Sequence, residues 1–194
     1  MPIRALILLA LSTLLLAACG PGNTIRLVDP APAQGVMPSP NAPSVAVVAF
    51  ADKRADSSAI GERRDKSAFT TSDDAARWVS MAVAEELRAA GYQVSYALSF
   101  DQAQHAVPDY IVQGSLLKAW LEEESMTSIN TTLSAKYSLA NKQKVILRET
   151  VNANQTHGGV PSNTATEELL TNTVQDLAKT MTQKISATIG TKKK

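Results

Sequence analysis

The chain has 194 residues, with 19 Lys and Arg against 18 Asp and Glu, two His and one Cys. A net charge of +1 excludes a general nucleic-acid binder, which needs a marked basic excess, and a single cysteine excludes an internal disulfide. A hydrophobic content of 44% is enough for one core, and the length suits one domain plus a tether.

Arg4 is the only charge in the first eighteen residues. It precedes an apolar run, Ala5 to Leu11, then Ser12-Thr13 and Leu14-Leu15-Leu16. This is a basic n-region, an h-region of secretory length and small residues at the exit. Gly20-Pro21-Gly22-Asn23 stops the run short of the ~20 apolar residues that a spanning helix needs. Leu16-Ala17-Ala18-Cys19 resembles the lipobox of bacterial lipoproteins. The resemblance implies cleavage between Ala18 and Cys19, a diacylglyceryl thioether on Cys19, and a further acyl chain such as palmitate on the new amine. The alternative is an ordinary cleaved signal peptide with a stray cysteine, but a lone free thiol is a liability in an oxidising compartment. Gly20 stands where lipoproteins kept at the inner membrane usually carry Asp. The implied address is the outer membrane of a Gram-negative bacterium, lipid-anchored and facing the periplasm. On this reading 1–18 is signal peptide, 19–44 lipidated cysteine and proline-rich tether, 45–190 a globular domain and 191–194 a basic tail.

Pro30, Pro32, Pro38, Pro40 and Pro43 make the stretch from Asn23 to Ser44 extended and solvated rather than packed. Thr24 to Val28 is an alternating interruption that offers an edge strand. Val45 to Phe50 is apolar on both faces, the mark of a central strand covered on both sides. Ala51 to Thr71 is polar and reads as a long loop with room for a small hairpin. Thr71-Ser72-Asp73-Asp74 opens a helix whose apolar face is Ala76, Val79, Val83, Leu87 and Ala90, and Gly91 stops it. Tyr92, Val94, Tyr96 and Leu98 alternate as a second strand, parallel to the first. Ser99 to Val107 predicts a short helix or turn. A three-strand antiparallel meander follows: Tyr110 to Trp120, with Gly114 as a bulge or close helix crossing; a turn at Glu122-Glu123-Glu124; Thr127 to Leu139 in strict alternation; a turn at Asn141-Lys142; and a strand lined by Val145, Leu147, Val151 and Ala153. Ser162 or Asn163 caps a last helix with the stripe Leu170, Val174, Leu177, Ala178, Met181, Ile185 and Ile189. That stripe fits core packing, and also a coiled-coil seam. The sum is an α/β (α+β) two-layer sandwich: a mixed sheet of about five strands with helices on one face and a polar opposite face.

No nucleophile elbow, phosphate loop or dinucleotide fingerprint occurs. His105 and His157 show no metal-ligand spacing, and Trp78 and Trp120 suit a core, an interface or a stacking platform. No catalytic residue, cofactor or metal site is expected. The candidate partner surface is basic: Arg54, Arg63 and Arg64 in the long loop, and Lys136, Lys144 and Arg148 on the polar sheet face.

Asp52-Lys53-Arg54 and the join Glu86-Leu87-Arg88-Ala89-Ala90-Gly91-Tyr92-Gln93-Val94 resemble the YajG-type lipoproteins. The strand–helix–strand opening is also similar to the N-terminal domain of TolB. These resemblances imply a periplasmic domain that works through protein contacts in the envelope. Three functions are open at this point: a non-enzymatic interaction or assembly module with an envelope protein partner, with a homo-oligomer compatible; an accessory module binding peptidoglycan or lipid; and a hydrolase with an unrecognised site using His105 or His157.

Overall fold

The computed structural model describes residues 23–29, 37–38, 40–160 and 162–191. The signal peptide, Cys19 and the Lys192–Lys194 tail lie outside them. In chain order the elements are β1 (Ser44–Val48), β2 (Ala51–Asp52), β3 (Ala59–Glu62), β4 (Ala68–Thr70), α1 (Ala75–Ala89), β5 (Gln93–Ala97), α2 (Phe100–His105), β6 (Tyr110–Ser125), β7 (Ser128–Asn141), β8 (Val145–Gly158) and α3 (Asn163–Thr191).

All eight strands of the described residues join one mixed sheet built on β6. On one edge β6 pairs antiparallel with β7, which pairs antiparallel with β8. On the other edge β1, β2 and β3 follow one another, each parallel to β6, through Val45↔Tyr110, Ala51↔Ser115 and Gly61↔Leu121. β5 lies parallel outside β1, and β4 antiparallel outside β3. The sheet therefore has eight strands rather than about five. The extra three come from the stretch predicted as a long loop with room for a small hairpin, and β3 and β4 form that hairpin. They are two to four residues long, too short to show a period of their own, and they exist because β6 offers a backbone edge to pair with.

The two-layer class holds. α1 and α3 cover one face of the sheet, and α3 buries all seven residues of its predicted stripe against it. At ~1.5–3 kcal/mol per large apolar side chain, this burial outweighs any coiled-coil use of the stripe. β1 is covered on both sides: Val45 and Val47 join the main core, while Ala46 and Val48 meet Ala97 and Ala103, where the short α2 closes the other face. Asp74 caps α1, its carboxylate accepting the Arg77 N–H at 2.9 Å. Gly91 ends the helix at φ +86°, a conformation costly to any residue with a Cβ.

Two predicted details of the meander move. β6 runs through Glu122-Glu123-Glu124 to Ser125, so the turn is at Met126-Thr127. The bulge is not at Gly114 but between Leu116 and Lys118. Gly114 is instead a close approach to Phe50, whose ring edge lies 2.8 Å from where a Cβ would stand. β7 alternates as predicted, burying Ile129, Thr131, Leu133, Ala135, Tyr137 and Leu139. In β8 an irregularity between Leu139 and Ala140 of the partner strand pairs Val145 with Ala140, so Val145 leaves the core face that Leu147 and Val151 occupy.

The segment before the prolines is packed on the domain. Thr24 bridges to Thr70 in parallel. The Ile25 N–H donates to the Thr70 carbonyl at 2.8 Å, and the Thr70 N–H to the Asn23 carbonyl at 2.9 Å. The Leu27 N–H donates to Asp73 Oδ2 at 2.8 Å, and Trp78 Nε1–H to the Val28 carbonyl at 2.7 Å. Ile25 and Leu27 belong to the main core. The edge-strand option for Thr24 to Val28 thus describes a short, bridged segment, and Trp78 is a core residue that ties it down.

Candidate functional site: the outward face of the meander

The face of β6–β7–β8 turned away from α1 and α3 is built in rungs. Gln113, Ser138 and Arg148 stand side by side; then Ser115, Lys136 and Thr150; Lys118, Ser134 and Asn152; Trp120, Thr132 and Asn154; Glu122, Asn130 and Thr156. Hydroxyl, amide and charged groups dominate, as a solvated sheet face requires.

The bulge at Leu117 sets what this face presents. Alternation from the buried Leu116 would turn Lys118 and Trp120 inward. One extra residue reverses the phase, so Ala119 and Leu121 are buried while Leu117, Lys118 and Trp120 face outward. Leu117 is 40% exposed. With Trp120, Ala55 and Ala59 it lines an open depression of about 380 Å³.

The wall of that depression is the loop between β2 and β3, which Arg54 holds closed. Its guanidinium pairs with Asp52 (Nη2–Oδ2 2.7 Å) and donates to the Ser57 carbonyl at 2.8 Å and the Ala59 carbonyl at 3.0 Å. Burial pushes the Asp52 carboxyl up, but the hydrogen bonds and charge of Arg54 outweigh it and hold the group below its usual value. The Arg54 side chain is only 5% exposed. It is therefore no part of a basic surface, as the sequence led us to expect, but a latch.

The other five candidates are spread out. Lys136 and Arg148 are exposed and share a shallow depression of about 300 Å³ with Gln113, Ser115 and Ser138. This lies one rung from Lys118, next to the apolar depression. Lys144 is exposed at the β7–β8 turn, beside the start of β6. Arg63 and Arg64 are at the β3–β4 turn, level with Glu122 and Glu123 near the end of β6; the Arg63 guanidinium lies over the Phe69 ring at 4.7 Å. At ~3.3 Å per residue the two ends are about 40 Å apart, so the six residues do not form one patch. The signal missed in the sequence was the outward phase of Trp120, which only the bulge reveals.

His105 is exposed at the end of α2 and His157 lies in β8 opposite Ile129, toward opposite ends of the sheet. Among the described residues no group of three or more His, Cys, Asp or Glu is placed to hold a metal ion.

The fold has solved counterparts. A Xanthomonas campestris protein, XCC0632, described as family DUF330, superposes with a TM-score of 0.61 at 12% identity, covering 86% of this chain and 98% of that one. An uncharacterised protein gives 0.55 at 9% identity, covering 84% and 97%. The hypothetical protein CT253 from Chlamydia trachomatis gives 0.52 at 10% identity, covering 76% and 98%. At such identities the likeness is one of fold. No protein-family model matches the sequence, and no curated protein does.

Proposed function

We propose that this protein is a lipid-anchored envelope lipoprotein, held at the outer membrane by Cys19, that acts without catalysis as an interaction module, binding an envelope protein through the outward face of β6–β8. The observation that carries this reading is the bulge at Leu117, which spends core-type side chains, Leu117 and Trp120, on the solvent side of an otherwise polar sheet. The lipobox and the YajG-type motifs support the address, on the sequence alone. A photo-crosslinker at Leu117 or Trp120, installed in the lipidated full chain in cells, should trap one reproducible protein; a crosslinker at the exposed Lys179 of α3 should not. Trapping from Lys179 alone, or from neither, overturns the reading.

A second reading rests on Lys136 and Arg148 sharing one depression beside hydroxyl and amide rungs. Two cations there suit the carboxylates of peptidoglycan stems. The wild-type domain should then sediment with purified sacculi, and a Lys136→Ala, Arg148→Ala double variant should stay in the supernatant.

A further inference from the structure

Only Gly20, Pro21 and Gly22 separate Cys19 from Asn23, and Asn23 is already hydrogen-bonded to β4. Four residue steps span at most about 14 Å. All the prolines that read as a tether, except Pro21, come after the docked segment, so they add no length between anchor and domain.

The direction of the segment follows from the pairing. β3 is parallel to β6, β4 antiparallel to β3, and the Thr24–Thr70 bridge parallel. Traced backwards from Thr24, the chain therefore heads toward the Ser125 end of β6. Thr70 pairs with Ala59, two residues before the Gly61–Leu121 rung. From that level to Ser125 is about 20 Å of strand. The greatest span of the residues back to Cys19 is thus slightly less than the distance to the β6–β7 turn.

Among the described residues, that end of the domain carries two exposed apolar tips. Met126 is 69% exposed in the β6–β7 turn and Val160 80% exposed after β8. The Gly159 N–H donates to the Thr127 carbonyl at 2.9 Å and holds the two tips together. Arg63, Arg64 and Lys66 sit close by, but among Glu62, Asp65 and the Glu122–Glu124 run, so the described residues of this end carry no basic excess to attract anionic lipid.

We propose that the domain rides directly on the bilayer that holds Cys19, strand ends down, with Met126 and Val160 in the headgroup region and the β7–β8 turn about 50 Å away, the length of β6. Two apolar tips would bind a membrane weakly alone; the acyl anchor and the short connection hold them there. The proposal rests on acylation of Cys19.

The test uses the full lipidated chain in phosphatidylcholine vesicles. Thioether formation with the diacylglyceryl group consumes the thiol of Cys19, the one cysteine of the chain, so one introduced cysteine is unique. Met126→Cys, Val160→Cys and Gln143→Cys would each carry a fluorophore, with a nitroxide on the lipid headgroup as quencher. The labels at 126 and 160 should lose most of their emission and the label at 143 almost none. Equal quenching at the three sites, or none at 126 and 160, overturns the proposal. A Gly-Ser insert of about 12 residues between Gly22 and Asn23, which adds roughly 20 Å of reach, should restore the emission at 126 and 160. Persistent quenching there would overturn the role of the short connection. Intact mass separates the premises: a protein without acyl groups overturns the anchor and this orientation together, whereas an acylated protein with unquenched tips overturns the orientation alone.

Discussion

Arg54 and Asp52, two residues apart, form a forked ion pair in which Arg54 Nε and Nη2 meet both carboxylate oxygens at 2.7–3.2 Å. The pair joins the end of β2 to the loop that walls the Trp120 depression.

Breaking this pair leaves a guanidinium that is almost fully enclosed. Asp52→Asn keeps the shape and removes the charge. Because Asp52 itself is about one-quarter exposed, water meets part of the loss, and we expect a destabilisation of about 2 kcal/mol, below the range for fully buried pairs. The sign of the pH dependence is set by the lowered Asp52 value. The stability it contributes is complete above the unfolded aspartate value near ~3.9 and is lost as pH falls through the folded value. Urea titrations of parent and variant should therefore converge in acid and diverge above about pH 4; parallel curves would remove the pair from the account.

Gly61 sits where β3 meets β6. A Cβ there would stand 2.3 Å from the Leu121 carbonyl oxygen and 2.6 Å from the Leu121 Cβ. Neither is the free end of a side chain, so β3 has to move. Gly61→Ala should cost about 3 kcal/mol by chemical denaturation and expose the β3–β4 hairpin amides to hydrogen exchange. Gly91→Ala meets no atom within 4 Å but must hold φ +86°, so it should cost about 1 kcal/mol through strain alone. Equal costs would mean that the contact with Leu121 is not what fixes Gly61.

The contrast between these sites shows what the sequence could and could not carry. β7 and α3 were legible because each buries one face of a long regular element, and fourteen or more residues write a clear period. β1 was legible because both of its faces are covered. β2 was not, and β3 and β4 only as room for a small hairpin, because their stability comes from a neighbour's backbone edge, which leaves no mark on side-chain type. The phase of Trp120 was hidden for a related reason: one bulged residue inverts the alternation, and nothing about Leu117 alone says that it is the extra one. Arg54 misled because a basic residue in a polar loop looks solvated until its carbonyl partners, brought by the turn at Ser57, are in place.

Tyr137 lies under the helices with its hydroxyl buried and without a hydrogen-bond partner. Burial, and secondarily the nearby Glu149 carboxylate, push its phenol up out of reach of ordinary pH. An unpaired buried hydroxyl costs about 1 kcal/mol or more. Tyr137→Phe removes it and keeps the ring, so we expect unchanged or higher stability, by up to about 1 kcal/mol. A clear loss on denaturation would show that the hydroxyl is paired.

Ile25 tests whether the segment next to the anchor belongs to the fold. Its side chain is 1% exposed in the main core and its N–H is bonded to Thr70. Ile25→Ala should cost about 3 kcal/mol, the usual loss for a large aliphatic side chain truncated in a core. A chain starting at Asn23 should match the stability of the full mature domain, whereas one starting at Ala42 should lose it, because β4 and α1 then expose the apolar surface that Ile25 and Leu27 cover. Equal stability of the two truncations, measured by thermal melts, would mean that the segment only rests on the surface. In that case the length between anchor and domain would have to be counted from Ser44 rather than from Asn23.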